Sequence, residues 1–293
     1  MENKKLYCDF HTHSTRSDGG NTRSEVIELA IKNEIGVLAI TDHNIPFDDM
    51  NELQLKYPDI KLINGSEVST SYITPDTGEH REIHVVALDF ENTAHFVSML
   101  SHNRFDSEEY VNSIIQKLRE AGFEANFTYS DLCNEMDQEF IGRMAIARKL
   151  VSLGLFSDIE EVFNEYIGDY GKRKAFVKPD VSKYIPTEKA VSEIIQAHGI
   201  PILCHPYSYH FSEKQVIQLI QDFKAYGGLA METRYALYPP EQRKQLMIYA
   251  DNYGLLQSAA SDFHGRGNKG CLNNHFPVSI YHNLIDFKES NHI

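Results

Sequence analysis

Leu6-Tyr7-Cys8-Asp9-Phe10-His11-Thr12-His13, then Thr22-Arg23-Ser24-Glu25, then Val37-Leu38-Ala39-Ile40-Thr41-Asp42-His43: residues 5–43 predict a strand, a helix and a second strand. The short apolar runs are strand-like and the Thr-x-x-Glu spacing is a capping box. Val26, Ile27, Ala30 and Ile31 give the helix one apolar face, with Gly36 as its expected stop. Both strands run directly into histidine. Side chains two apart in extended chain point the same way, so His11 and His13 can grip one ion together.

The same unit recurs along the chain. Further strands are expected at 61–65, 83–89, 200–204, 229–232 and 255–260, with helices at about 187–198, 212–226 and from Pro239-Pro240 to Gly254. Alternation of this kind means βα units and a mainly parallel sheet, and 293 residues suit one large α/β barrel carrying an insertion. The barrel is expected from 1–90 and 181–293. Residues 91–180 break the alternation with helical patterns at 107–121, 143–153 and 158–167, and read as a helical insertion. The cluster Lys172-Arg173-Lys174, with Lys178, stands at its end in an otherwise acidic chain.

Composition narrows the function classes. With 42 acidic against 28 basic residues and a net charge of −14, no general surface for long nucleic acid is expected. No apolar run approaches the roughly 18 residues of a membrane span, and the first residues show no leader, so a cytoplasmic protein is expected. Cys8, Cys133, Cys204 and Cys271 are far apart and form no Cys-x-x-Cys pair, which argues against a disulfide framework or a zinc ribbon.

The 14 histidines carry more information. His11 and His13 follow the first strand, Asp42-His43 the second and Glu67 the third; His84 lies in the fourth, His205 ends the fifth, and Asp262 and His264 follow the seventh. One histidine at a strand end is ordinarily a packing or capping residue. Agreement among several segments is different, because the carboxyl ends of barrel strands share the face on which active sites are built.

These residues carry a resemblance. Asp9-Phe10-His11-Thr12-His13-Ser14, Ser17-Asp18-Gly19, Thr41-Asp42-His43, Gly65-Ser66-Glu67, Glu82-Ile83-His84, Cys204-His205-Pro206 and Ser261-Asp262-Phe263-His264 together are similar to the polymerase and histidinol phosphatase (PHP) family. The resemblance implies a distorted (β/α)7 barrel and phosphoester hydrolysis with two or three divalent ions, manganese before iron or zinc. It assigns His11, His13, Glu67 and Asp262 to a first ion, Glu67, His84 and His205 to a second, and Asp18, His43 and His264 to a third. Asp9 and Asp42 are expected to orient neighbouring histidines. Glu67, His205, Asp262 and Arg143 are the expected catalytic residues.

Gly142-Arg143-Met144-Ala145 and Lys174-Ala175-Phe176-Val177 resemble the branch that acts on nucleoside 3′,5′-bisphosphates and short 5′-phosphorylated RNA. By that likeness Arg143, Lys174 and Lys178 would contact a small phosphorylated substrate; the acidic charge and the lack of a long apolar run make a long duplex and a membrane unexpected as partners. A histidinol-phosphatase-like phosphomonoesterase and a metal-binding module without turnover are the alternatives.

Overall fold

Seven strands built on aliphatic and β-branched residues lie side by side in chain order: β1 (Tyr7–Asp9), β2 (Ile35–Ile40), β3 (Lys61–Ile73), β4 (His80–Leu88), β5 (Ile200–Leu203), β6 (Ala230–Tyr235) and β7 (Leu256–Ala260). The computed structural model describes residues 7–135, 141–167, 180–265 and 271–291. Backbone bonds from Phe10 to the Ala259 carbonyl (3.1 Å) and from Asp262 to the His11 carbonyl (2.9 Å) bring the first strand against the last, so the sheet nearly closes as a barrel.

The expected parallel sheet needs correction: β1 to β3 and β5 to β7 are parallel neighbours, but β4 runs antiparallel to both β3 and β5. The cause is local. Thr74-Pro75-Asp76-Thr77-Gly78-Glu79 is too short for a crossover helix and turns the chain directly back, with Gly78 at φ 70°. As a result, Glu67 and His84 reach the barrel mouth from within long strands rather than from strand ends.

Helices cover the barrel. α1 (Arg23–Lys32) opens on the Thr22–Glu25 capping box, but it stops at Asn33, with Glu34 left-handed, and Gly36 lies inside β2. α2 (Met50–Lys56) follows β2. Between β4 and β5, α3 (Ala94–Glu120) is capped by Thr93 and is followed by α4 (Tyr129–Glu135), α5 (Arg143–Ser152) and α6 (Ile159–Val162), which continues as a π turn over Phe163–Ile167. α7 (Thr187–Gln196), α8 (Glu213–Ala225), α9 (Pro240–Tyr253) and α10 (Ser279–Ser290) complete the barrel wall. No helix among the described residues is long and apolar enough to cross a membrane.

Two apolar cores meet along α3. Its first turns place Phe96 and Leu100 against the barrel core with Val68 and Ile194, whereas Val111, Ile114 and Leu118 pack with Ile146, Leu150 and Ile167. The helix begins earlier than its apolar periodicity predicted because Thr93 supplies the cap. At about 40 Å it is long enough to span both cores.

Candidate metal centre

All nine candidate ligands converge at the barrel mouth around Glu67. Its Oε2 stands 3.1 Å from His11 Nε2, 3.2 Å from His13 Nε2 and 3.1 Å from His43 Nδ1. Its Oε1 stands 2.7 Å from His84 Nδ1 and 3.2 Å from His205 Nε2. Asp262 Oδ1 lies 3.3 Å from His13 Nε2 and 3.6 Å from His11 Nε2. Asp18 Oδ1 lies 3.2 Å from His264 Nε2 and 3.7 Å from His43 Nε2. The Asp18 loop can fold back this far because Gly19 has no side chain: a Cβ there would sit 2.6 Å from the His13 carbonyl oxygen.

This arrangement makes poor sense as a hydrogen-bond network and good sense as a cation site. Glu67 Oε2, His13 Nδ1, His84 Nδ1 and His205 Nδ1 are buried without a hydrogen-bond partner, and each such atom costs about 1–3 kcal/mol. Donors at adjacent positions around a six-coordinate ion with bonds of about 2.1 Å stand about 3.0 Å apart, close to the spacings here. His11, Glu67, Cys204 and His205 form one such group, His11, His13 and Asp262 a second, His13, Asp18, His43 and His264 a third, and His43, Glu67 and His84 a fourth.

Protonation follows the same logic. Burial would raise the carboxyl of Glu67, but His11, His84 and His43 hold it well below its ordinary range. Asp18 and Asp262, similarly opposed by burial, are held low chiefly by His264. Burial drives His43 down to about 4 despite Glu67 and Asp18. His84 goes the other way, to about 10: burial opposes its charge, but Glu67 outweighs burial. His11 and His13 are likewise raised against burial by neighbouring carboxylates, so the carboxylates are ionised and ready to ligate, whereas His11, His13 and His84 must release a proton to do so.

The PHP domain family matches residues 9–177, more than half of the chain. This chain belongs to the PHP family. It is 36% identical over 258 residues to a 5′-3′ exoribonuclease of Haemophilus influenzae, covering 87% of this chain and 89% of that relative. It is 29% identical over 269 residues to a 3′,5′-nucleoside bisphosphate phosphatase of Chromobacterium violaceum, covering 89% and 88%. A solved amidohydrolase from Chromobacterium violaceum, with sulfate bound and no metal, superposes with a TM-score of 0.77 at 27% identity over 96% of both chains. A Bifidobacterium adolescentis structure at 23% identity shares the fold, also with a TM-score of 0.77. The chain is thus a PHP metal-dependent phosphoesterase, a phosphoric ester hydrolase on a nearly closed seven-stranded barrel.

Two roles read from the sequence change in this PHP centre. Asp9 does not touch an imidazole; its Oδ1 accepts from the backbone amides of His11 (3.3 Å) and Ser261 (3.0 Å), joining the ends of β1 and β7. Burial raises its carboxyl to about 7. Asp42 accepts from the Ser14 amide (2.8 Å) and the hydroxyls of Ser14 (2.7 Å) and Ser17 (2.8 Å), so it shapes the Asp18 loop.

Two carboxylates do orient a histidine ring: Glu82, 3.1 Å from His84 Nε2, and Glu232, which sequence reasoning missed. Its Oε1 is 2.6 Å from His11 Nδ1 and its Oε2 accepts the His205 amide at 2.7 Å, holding His205 in a strained conformation (φ 27°). Tyr235 likewise donates to Asp262 Oδ2 at 2.6 Å, with burial and Asp262 both pushing its hydroxyl up so that it stays a donor. Glu232→Gln should weaken Mn2+ binding about 10- to 100-fold, read by electron paramagnetic resonance of free Mn2+; unchanged affinity would remove this role.

Of the expected substrate contacts, Arg143 opens α5 and donates to the Ile167 carbonyl at 3.3 Å; its charge also helps to lower Glu82, whose carboxylate is 3.1 Å from His84 Nε2. Lys174 and Lys178 lie outside the described residues.

Proposed function

We propose that the nine converging side chains hold two or three divalent ions, manganese first with iron or zinc as alternatives, and that the substrate is a nucleoside 3′,5′-bisphosphate or a short 5′-phosphorylated oligonucleotide. The observation that carries the reading is the position of Glu67, a single carboxylate shared by five imidazoles. Six imidazoles and three carboxylates suit manganese, iron or zinc better than magnesium or calcium, and burial and Glu232 keep the neighbouring Cys204 thiol protonated. Ions bound here would polarise the phosphoryl oxygens and supply a nucleophilic water near neutral pH.

The chain's own groups do the rest. Glu67, Asp18 and Asp262 contribute the negative charge that gathers the cations, and Tyr235 keeps one oxygen of Asp262 occupied while the other faces the imidazoles. Arg143, at the positive end of α5 and with a charge that lowers the Glu82 carboxyl, would hold a second phosphate. The names of the Haemophilus and Chromobacterium relatives support this substrate class over histidinol phosphate.

The test compares adenosine 3′,5′-bisphosphate, a 5′-phosphorylated dinucleotide and histidinol phosphate with Mn2+, in wild type and Arg143→Ala. Loss of a charged hydrogen bond should raise KM for the bisphosphate about 10- to 100-fold while a simple aryl phosphate changes little. Equal effects on both would remove Arg143 from recognition. A clear preference for histidinol phosphate would overturn the nucleotide reading.

A further inference from the structure

The insertion reaches the metal centre at two places: Arg148 of α5 donates to the Gly19 carbonyl beside Asp18, and a buried amide of α3 meets the segments that carry His43 and Glu67. Asn103 lies in the barrel-facing part of α3 and is only 3% exposed. Its Nδ2 donates to the Ser69 carbonyl at 2.7 Å and to Asn44 Oδ1 at 3.1 Å, and its Oδ1 accepts from the Ile185 amide at 3.4 Å. Both of the first two partners adjoin candidate ligands: Asn44 follows His43, and Ser69 is two residues beyond Glu67 on β3.

Asn44 is itself a constrained residue. It adopts a left-handed conformation (φ 53°), donates its amide to the Glu67 carbonyl at 2.8 Å, and accepts the Ser69 amide on Oδ1 at 3.0 Å. A non-glycine residue stays in that region only when its surroundings over-determine it, and Asn103 is one of those surroundings. The chain leaving the insertion is tied to the same strand, because Ser71 donates to the Ile185 carbonyl at 2.8 Å and the Thr70 and Thr187 hydroxyls meet at 2.8 Å. Asn103 therefore joins the entry helix, the exit segment and the two ligand-bearing segments.

We infer that Asn103 is a positioning residue: acting through Asn44 and Ser69, it holds His43 and Glu67 in register, so that seating of the insertion and loading of the metal centre are one linked equilibrium. The inference rests on the metal-dependent reading. Linkage is reciprocal, so a variant that unseats this contact must also weaken metal binding, and by the same factor that metal strengthens the contact.

The experiment measures the Mn2+ dissociation constant, from electron paramagnetic resonance of free Mn2+, and Tm with and without Mn2+ in full-length wild type, Asn103→Ala, Asn44→Gly and Leu118→Ala. Asn44→Gly suits the left-handed backbone, so the fold persists while the side-chain link is removed. Leu118→Ala opens the insertion's own core without touching Asn44. Asn103→Ala and Asn44→Gly should each weaken Mn2+ about tenfold and shrink the Mn2+-induced rise in Tm. Leu118→Ala should lower Tm equally with and without Mn2+ and leave the affinity unchanged. Wild-type affinity in Asn103→Ala, or in Asn44→Gly should Asn103→Ala not fold, would overturn the positioning role, as would an equal loss of affinity in Leu118→Ala. Failure of the wild type to bind Mn2+ would instead remove the metal reading, and this inference with it.

Discussion

Glu67→Gln should lower phosphoester turnover about 10³-fold or more, on the scale of the roughly 4 kcal/mol of charge stabilisation that metal coordination supplies. The replacement is nearly isosteric, so barrel packing at this fully buried position is kept. What disappears is the charge that faces His11, His13, His43, His84 and His205 at once. The loss should also appear without any assay, as a lower metal content by elemental analysis after dialysis against Mn2+. Full metal content together with turnover within tenfold of the wild type would sink the assignment of Glu67 as the shared ligand.

Eight of the nine donors were legible because each lies in or next to a strand whose apolar run can be recognised alone, and because a shared barrel face makes those positions neighbours whatever the helices between them do; Asp18, in the loop nine residues beyond β1, came only from the family resemblance. The β3–β4 reversal was also readable in principle, since Pro75-Asp76-Thr77-Gly78 is a turn signal with no room for a helix. Gly36 misled because Asn33 and Glu34 already provide the chain reversal that a helix-stopping glycine would supply. Glu232 left a fainter trace: a carboxylate within Ala230-Met231-Glu232-Thr233, on the one strand for which no ligand was expected. Burial there demands a partner, but the partner is set by barrel closure, which puts β6 opposite His11 from far along the chain. Asp9 and Asp42 were misassigned for the same reason. That each faces backbone amides or serine hydroxyls rather than a ring depends on loop geometry that residue spacing does not encode. Asn103 carries no local signal at all, since a single asparagine in a helix is usually solvated.

Arg23→Met should destabilise the metal-free protein by about 3–5 kcal/mol at pH 7, because it leaves a buried carboxylate without its counter-charge. Arg23, with a side chain 4% exposed, reaches the fully buried Asp42 at 3.1 Å through Nε; its Nη1 meets Asp48 at 2.9 Å and also Asp49, and its Nη2 donates to the Pro46 carbonyl at 3.1 Å. Burial alone would raise the Asp42 carboxyl, but Arg23 and the Ser14 amide hold it below its ordinary range. Its contribution in the wild type is therefore complete above the unfolded value of about 3.9 and is lost as pH falls through the depressed folded value. In Arg23→Met burial is no longer opposed by the guanidinium, the folded carboxyl rises instead, and the ionised group penalises the fold most at neutral pH. The stability gap between wild type and variant should consequently narrow as pH falls from 7 toward 4, which urea denaturation in a chelating buffer at several pH values would show. A gap that does not change with pH would mean that Arg23 acts by packing on the Phe47 ring, 5.0 Å away, rather than by charge. Because Asp42 also holds Ser14 and Ser17, the loss of this ion pair loosens the loop that presents Asp18 to His264, so the variant should lose metal from that corner of the centre before it unfolds.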